Sequence, residues 1–509
     1  MELLNLSSNP LFLSLLLLLP LFLFLWLKLA KGRKLNLPPS PPKLPIIGNI
    51  HQLGKLPHRA LRDLSNKYGS LLLLRLGYNP TLLVSSADIV REMVKSHDIA
   101  FSDRPKTAAV KHLLYESKGM GFGPYTEFWR QVRKMSMVEL FSHQRVHSFQ
   151  FVRYEEVEAL INKIRSTCVK GEPINLTNML MVVSGNIVSR CILSHKSEEE
   201  NGCSKFGELV RRILVLFTGF CIGDMFPYLR WADVLTGYIP SMKAVSAEMD
   251  AFLDQVIQEH RALEVESPAQ LTQKKDFVSI IMQLQKDGMF DNLTQDNIKA
   301  ILLEMYVAGT DTSSTLSEWM MAELLSHPNE MKKVQQEVRS VVGNKSKVDP
   351  EDVGKMEYLR CVVKETLRLH PPAVFIPRRT RATASGKLGG YDIPASTEVL
   401  INVWAIHRDP KWWEKPDEFI PERFEKNSVD FLGEDFHYIP FGMGRRGCPG
   451  MPFGVASVEY AMANLLYWFD WKLPAEKVDL TELYGLAVSL KTPLHALAVP
   501  HSTHVPDFN

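Results

Sequence analysis

The sequence predicts a mainly α fold with a small β portion, built as one large domain and preceded by an N-terminal transmembrane helix. Three observations carry this prediction. Strand-like segments are few and clustered: Leu71–Leu76 with Thr81–Ser85, Gly390–Ile393 with Glu398–Asn402, and Ala496–Val499. Between them apolar residues recur at helical spacing, as over Ala87–Lys95, Phe128–Leu140, Tyr154–Val169, Ser246–Ala262, Phe277–Lys286, Pro328–Val342 and Met356–His370. No repeat, low-complexity stretch or long linker divides the chain after Ile46.

From the N-terminus, no charged residue occurs between Leu3 and Leu27. About 20 apolar residues span a bilayer core. Only Glu2 precedes the run, and Lys28, Lys31, Arg33 and Lys34 follow it. A cleaved signal would carry its basic residues first, so a retained anchor with a cytosolic basic flank is expected. Residues 1–29 are read as this anchor. Residues 30–45 are read as a basic and proline-rich hinge, because Pro38, Pro39, Pro41, Pro42 and Pro45 favour a stiff, extended chain. Residues 46–509 form the single large domain. In a eukaryotic cell this arrangement implies a single-pass protein of the endoplasmic reticulum membrane with its domain in the cytosol.

Charge and cysteine usage narrow the function classes. Lys plus Arg number 59 against 57 Asp plus Glu. A nucleic-acid partner selects for a strong basic excess and is not expected. Six cysteines are scattered with no CxxC pair, which argues against a disulfide framework and for a reducing compartment. Ser197–Cys203 and Glu264–Lys275 read as polar surface loops. Between them, Phe206–Tyr238 is rich in Leu, Phe, Ile and Trp, which suits a mostly helical lid that also touches the membrane.

Thr294 to Pro328 reads as one helix of about 33 residues, on the order of 50 Å long. Thr294 is a suitable N-cap and Pro328 a stop. Mid-helix, the apolar run Ala300–Val307 gives way to Ala308-Gly309-Thr310-Asp311-Thr312-Ser313. Glycine inside a helix costs about 1 kcal/mol relative to alanine, and hydroxyl side chains divert helix hydrogen bonds. This break fits a functional groove or, equally, a small-residue patch where another helix crosses. Further on, Glu365 and Arg368 share a helix face at i,i+3 spacing. Arg423, in an aromatic and proline-rich segment, offers a third partner.

The last distinctive stretch is Phe441-Gly442-Met443-Gly444-Arg445-Arg446-Gly447-Cys448-Pro449-Gly450. Its glycines allow close backbone approach. A helical run over Pro452–Trp468 would place Cys448 just before a helix N-terminus, where a thiolate is favoured and can ligate a metal. On its own, the loop also fits a Gly-rich turn with an inert cysteine.

Taken together and in this order, these motifs resemble cytochrome P-450, a family of haem-thiolate monooxygenases, along the chain from the anchor to the C-terminus. Phe441, Gly444, Arg446, Cys448 and Gly450 fit the haem-binding signature, Ala308–Ser313 the oxygen-activation motif, and Glu365 with Arg368 and Arg423 the structural triad. Trp129 and Arg133 fit W-x-x-x-R, and Pro377-Arg378 fits the later propionate-binding arginine. The wording of these motifs is similar to the plant microsomal A-type group.

The resemblance implies haem b with Cys448 as its axial metal ligand, and a cofactor site formed by Trp129, Arg133, Arg378, Phe441 and Arg446. It implies that Asp311 and Thr312 deliver protons in O2 activation. Electrons would come from an NADPH-dependent cytochrome reductase in the same membrane, since no G-x-G-x-x-G follows a strand. Arg130 and Lys134 are candidate contacts for it, or an ordinary solvated helix face. The family topology places Val110, Leu113, Phe217, Ala308, Val374, Ile376 and Leu486 around the substrate. These side chains suit a lipophilic plant metabolite: a terpenoid, an alkaloid or a phenylpropanoid. A peroxide-rearranging relative would typically lack the threonine that stands here at 312.

Overall fold

The computed structural model describes residues 35–169, 171–195, 198–199, 202–203, 205–266, 276–288, 293–382 and 386–501. The proposed anchor therefore lies outside the described residues.

A helical body packs around one long central helix, Gln295–Ser326. Thr294 caps it with a reciprocal Asn297 capping box, and Pro328 opens the next helix, Pro328–Val342, because proline is tolerated in a first turn. The helix runs without interruption through the polar break. Thr312 Oγ1 donates to Ala308 O at 2.6 Å, Ser314 Oγ to Asp311 O at 3.1 Å and Ser317 Oγ to Ser313 O at 3.0 Å. The hydroxyls are thus satisfied by the helix's own carbonyls.

The helix Leu176–Leu193 crosses the central helix at Gly309, where a Cβ would lie 3.1 Å from Val188 Cγ2. This crossing helix is apolar and long enough to span a bilayer, yet most of it is buried in the core. Trp319, Met320, Met321 and Leu324 carry the central helix through the same core with no exposed surface.

The main sheet has four strands in the order Leu71–Leu76, Asn79–Val84, Glu398–Asn402 and Phe375–Arg379. The inner pair is parallel, with Thr81 opposite Glu398, and so ties together chain segments more than three hundred residues apart. Phe375–Arg379 was not expected as a strand. Its Pro377 and paired arginines lack strand character, and pairing with Glu398–Asn402 supplies what local sequence does not. Tyr391–Ile393 pairs with Gly386–Leu388 rather than with Glu398–Asn402.

Other elements differ from the sequence reading in extent. The run predicted over Phe128–Leu140 is an α-helix, Glu127–Met135, followed by a π-turn, Ser136–Leu140. Ser246–Ala262 is the middle of a longer helix, Tyr238–Glu266. Within the expected polar loop, Glu198–Glu199 pairs with Gly202–Cys203 as a short hairpin. The lid is helical as predicted: Lys205–Thr218, Ile222–Met225 and Arg230–Leu235. The described part of the hinge is strapped to the domain: Leu73 N donates to Pro39 O at 2.9 Å and Asp392 N to Asn36 O at 2.7 Å.

Candidate active site

The Cys448 loop closes on itself. Cys448 N donates to Phe441 O at 2.7 Å and Gly447 N to Gly444 O at 3.0 Å. Gly442 and Gly444 adopt φ of 73° and 61°, a left-handed backbone that explains two of the four glycines. The helix Met451–Trp468 follows at once. Backbone N–H groups of Gly450 and Met451, together with Arg133, favour the Cys448 thiolate, while burial pushes the thiol's pKa up by more. The Phe441 ring packs edge-on against Phe431, with centroids 5.8 Å apart.

Cys448 nevertheless keeps open surface area. The same combination recurs on one face of the central helix. Glu304, Ala308, Asp311 and Thr312 follow helical spacing and all retain accessible area. Burial raises the carboxyls of Glu304 and Asp311 all the same. Surface that is accessible yet desolvated walls an enclosed space. Gly454 of the Cys448 helix lies against the central helix, where its Cβ would sit 3.8 Å from Ser313 Oγ, so the two walls adjoin. A face about a third of a turn away carries Gly309 and the crossing helix. The break thus carries a helix crossing at Gly309 and, on another face, leaves Ala308, Asp311 and Thr312 with accessible area.

The expected arginines converge here. Arg446 lies 4.0 Å and Arg133 5.6 Å from the Trp129 ring centroid. Arg133 Nη2 donates to Gly447 O at 2.8 Å, and Arg378 Nη2 donates to Met443 O at 2.8 Å. Arg104 joins them, donating to Gly121 O at 3.1 Å and to Pro377 O. Sequence reasoning missed Arg104, whose place depends on a contact across more than two hundred residues and on no local pattern. It also missed Asp98, which meets Arg378 at 3.2 Å and Arg445 at 3.2 Å.

These cations depress one another. Arg446 falls to about 9, through burial first and then through Arg378 and Arg133. Arg104 falls well below its usual range for the same reasons, burial first. Arg378 Nε has no hydrogen-bond partner among the described residues. A desolvated cluster of this kind gains from a dianion. The donor set therefore fits the two carboxylates of a haem, and the Cys448 thiol fits its iron.

The triad also comes together. Arg368 donates to Glu365 at 2.7 and 2.9 Å, and Arg423 at 3.0 Å. Glu365 and Arg368 have no exposed surface. Arg368 spends its other donors on His407 O at 2.9 Å, Pro416 O at 2.6 Å and Glu418 O at 3.0 Å. His407 Nε2 in turn accepts from Ile439 N at 2.8 Å, two residues before Phe441. Burial, then Arg368 and Arg408, lowers His407 to about 3, so it stays neutral and able to accept. The triad thus connects through His407 to the start of the Cys448 loop.

The proposed pocket residues fall into three groups. Ala308 and Leu486 keep open area, and Phe217 stacks edge-to-face on Phe122 at 5.5 Å. Val374 packs with Trp404 and Val488, and Ile376 lies beside Gly442. Val110 and Leu113 are buried in the main core. Three hydrogen bonds stitch the segment after Leu486 to the central helix: Ala487 N–H to the Asp311 carboxylate, Trp319 Nε1 to Val488 O at 2.8 Å, and Leu490 N to Glu318 at 3.2 Å.

Comparison with known proteins gives concordant results. The family described as Cytochrome P450 matches residues 38–499. A phenylacetaldehyde oxime monooxygenase of Prunus mume is 50% identical over 93% of this chain and 90% of its own length. A strychnine-11-hydroxylase of Strychnos nux-vomica is 44% identical over 91% and 92%. Among solved structures, a zebra fish cytochrome P450 with abiraterone superposes with a TM-score of 0.74 at 25% identity, covering 88% of this chain and 100% of that one.

Removing Glu365 tests how far the site rests on the triad. Glu365→Ala strands Arg368 as an unpaired buried charge, a loss of about 3–5 kcal/mol. Thermal melting of the purified protein should show a markedly lower midpoint, and little protein should accumulate with the site intact.

Proposed function

Because the chain belongs to the cytochrome P450 family, in its plant A-type group, and is a haem-thiolate monooxygenase, we propose that Cys448 is the thiolate ligand and that the substrate is a lipophilic plant specialised metabolite. The observation that carries this is the convergence of three features on one enclosed space: the Cys448 thiol with its two backbone N–H groups, the Ala308–Thr312 helix face, and the arginine cluster. A haem held by a cysteine thiolate supplies the redox chemistry of O2 activation and substrate oxidation.

The protein's own residues position and protonate. Arg104, Arg133, Arg378 and Arg446 would hold the two haem carboxylates, and Trp129, whose Nε1 donates to Met120 O, would position them by stacking its ring on Arg446. Thr312 keeps a hydroxyl at the cavity face by donating to Ala308 O, and Asp311 takes up a proton more readily than an ordinary carboxylate because burial raises its carboxyl. Together they form the route by which protons enter. The Glu365–Arg368–Arg423 triad holds the Cys448 loop in register. The apolar side chains Phe217, Val374, Ile376 and Leu486 exclude water and accept a lipophilic molecule. The relatives' names concern an oxime and strychnine, so the group spans unlike substrates of this general kind.

Access and electrons complete the reading. Ile46, Val215, Phe220, Tyr228, Trp231 and Leu235 are large, apolar and exposed. Contacts bring the Ile46 and Tyr228 ends of this set together: Gly77 N donates to Ile47 O at 3.3 Å, Tyr78 N to Met225 O at 2.9 Å, and Tyr78 meets Tyr228 at 5.6 Å. An apolar face beside the hinge suits contact with lipid. It supports an anchor at residues 1–29, a hinge at 30–45, a single catalytic domain at 46–509, and an endoplasmic reticulum address. Electrons come from an NADPH-dependent reductase in that membrane. It docks on the side of Arg130 and Lys134.

Cys448→Ala should abolish the thiolate-type band of the reduced carbon monoxide complex, and an unchanged band would refute this assignment. With reductase present, Thr312→Ala should lower product formed per NADPH consumed and raise peroxide; normal coupling would count against the proton route. For the lipid face, Trp231→Phe in the reconstituted full-length protein should lose part of the tryptophan quenching caused by brominated acyl chains. Quenching equal to the parent's would place Trp231 in water.

A further inference from the structure

Glu304 stands one helical turn before Ala308 on the cavity-facing side of the central helix, and none of the roles above uses it. Its carboxylate is turned toward the loop Gly119-Met120-Gly121-Phe122-Gly123. Gly121 N donates to Glu304 Oε2 at 2.8 Å, and the N–H groups of Met120 and Phe122 also favour the carboxylate. The loop's carbonyls are directed the other way. Met120 O accepts from Trp129 Nε1 at 2.8 Å, Gly121 O from Arg104 at 3.1 Å, and Gly123 O from Arg446 at 2.5 Å. The loop is therefore sorted by charge, with its donors on the acid and its acceptors on the cations.

The alternating glycines follow from this arrangement. A Cβ on Gly119 would fall well inside van der Waals contact with the Glu304 carboxylate, and one on Gly121 would lie 3.4 Å from it. Only a loop bare of side chains at 119 can wrap a carboxylate this closely. The same loop carries Phe122 against Phe217 of the lid.

We infer that Glu304 is a positioning residue that clamps the Gly119–Gly123 loop onto the central helix, and so fixes one wall of the substrate cavity and determines which molecules fit there. This rests on the proposed reading of the enclosed space as a haem and substrate cavity. A buried carboxylate that accepts from Gly121 N and draws the neighbouring Met120 and Phe122 N–H dipoles by its charge holds the loop better than an uncharged amide. The clamp also links the wall to Arg104 and Arg446, so the loop bridges the haem-carboxylate cluster and the substrate side.

The test uses the full-length, haem-loaded protein. Hydrogen exchange at Gly121, whose N–H donates to Glu304, should be slow in the parent and about tenfold faster in Glu304→Gln. In spectral titrations, affinity for 4-phenylimidazole, whose ring must fit under the loop, should fall about tenfold in that variant. Affinity for imidazole and the carbon monoxide band should stay as in the parent. Gly119→Ala, which pushes a methyl into the carboxylate, should reproduce both changes. Combining it with Glu304→Asp, one methylene shorter, should restore them in part, a recovery that a general loss of stability would not give. Unchanged exchange and 4-phenylimidazole affinity in Glu304→Gln, or no recovery in the double variant, would overturn the clamp. Absence of the thiolate band in the parent would instead overturn the underlying haem reading.

Discussion

Arg104, Arg133, Arg378 and Arg446 come from distant parts of the chain and meet in a desolvated space with few acids to balance them. Such a cluster is unfavourable by itself, since each guanidinium lowers its neighbours' affinity for protons. The surrounding structure is arranged to tolerate it. Backbone carbonyls of Ser102, Gly121, Gly123, Pro377, Met443 and Gly447 accept from the cluster, and Asp98 bridges Arg378 to Arg445. Strand Phe375–Arg379, the Cys448 loop and the Trp129 helix are held in register by these bonds. A haem's carboxylates would supply the missing negative charge, and cofactor binding and the packing of these segments would then stabilise one another.

The central helix separates two tasks by face. Gly309 lets the crossing helix approach closely, which makes the core dense. Ala308, Asp311 and Thr312, a third of a turn away, border the cavity. A single stretch of small and polar residues thus serves packing and chemistry at once. The helix runs through unkinked, with the Thr312, Ser314 and Ser317 hydroxyls each bonded to a carbonyl of their own helix. Asp311 is less independent than its place in the motif implies. It accepts from Ala487, next to Leu486, so the proposed proton route and the proposed substrate wall share a hydrogen bond.

The triad shows how a buried ion pair can act at a distance. Glu365 and Arg368 have no exposed surface, and all of their polar atoms are engaged. Buried pairs contribute little net stability against an apolar substitute, but they fix geometry because a half-broken pair is so costly. Here the geometry passes from Arg368 to His407 O, and from the neutral His407 ring to Ile439 N. The cysteine loop is thereby placed by contacts made well away from the cysteine.

Several features were legible in the sequence because they depend on local chemistry. The helix caps, the proline stop after the central helix, the glycines of the Cys448 loop and most helical spans follow from residue type and spacing, and the motifs in order identified the family. Other features were hidden from it. Phe375–Arg379 becomes a strand only because Glu398–Asn402 lies beside it. Arg104, Asp98 and Glu304 gain their roles only once segments hundreds of residues apart meet. Sequence spacing reports on neighbours within a few turns, whereas desolvation and charge depend on what folding brings close. The chain alone thus determined most helical spans, the glycine-rich cysteine loop and the reaction class. Tertiary structure decided which charges are buried together, which helix face borders the cavity and which loop walls it.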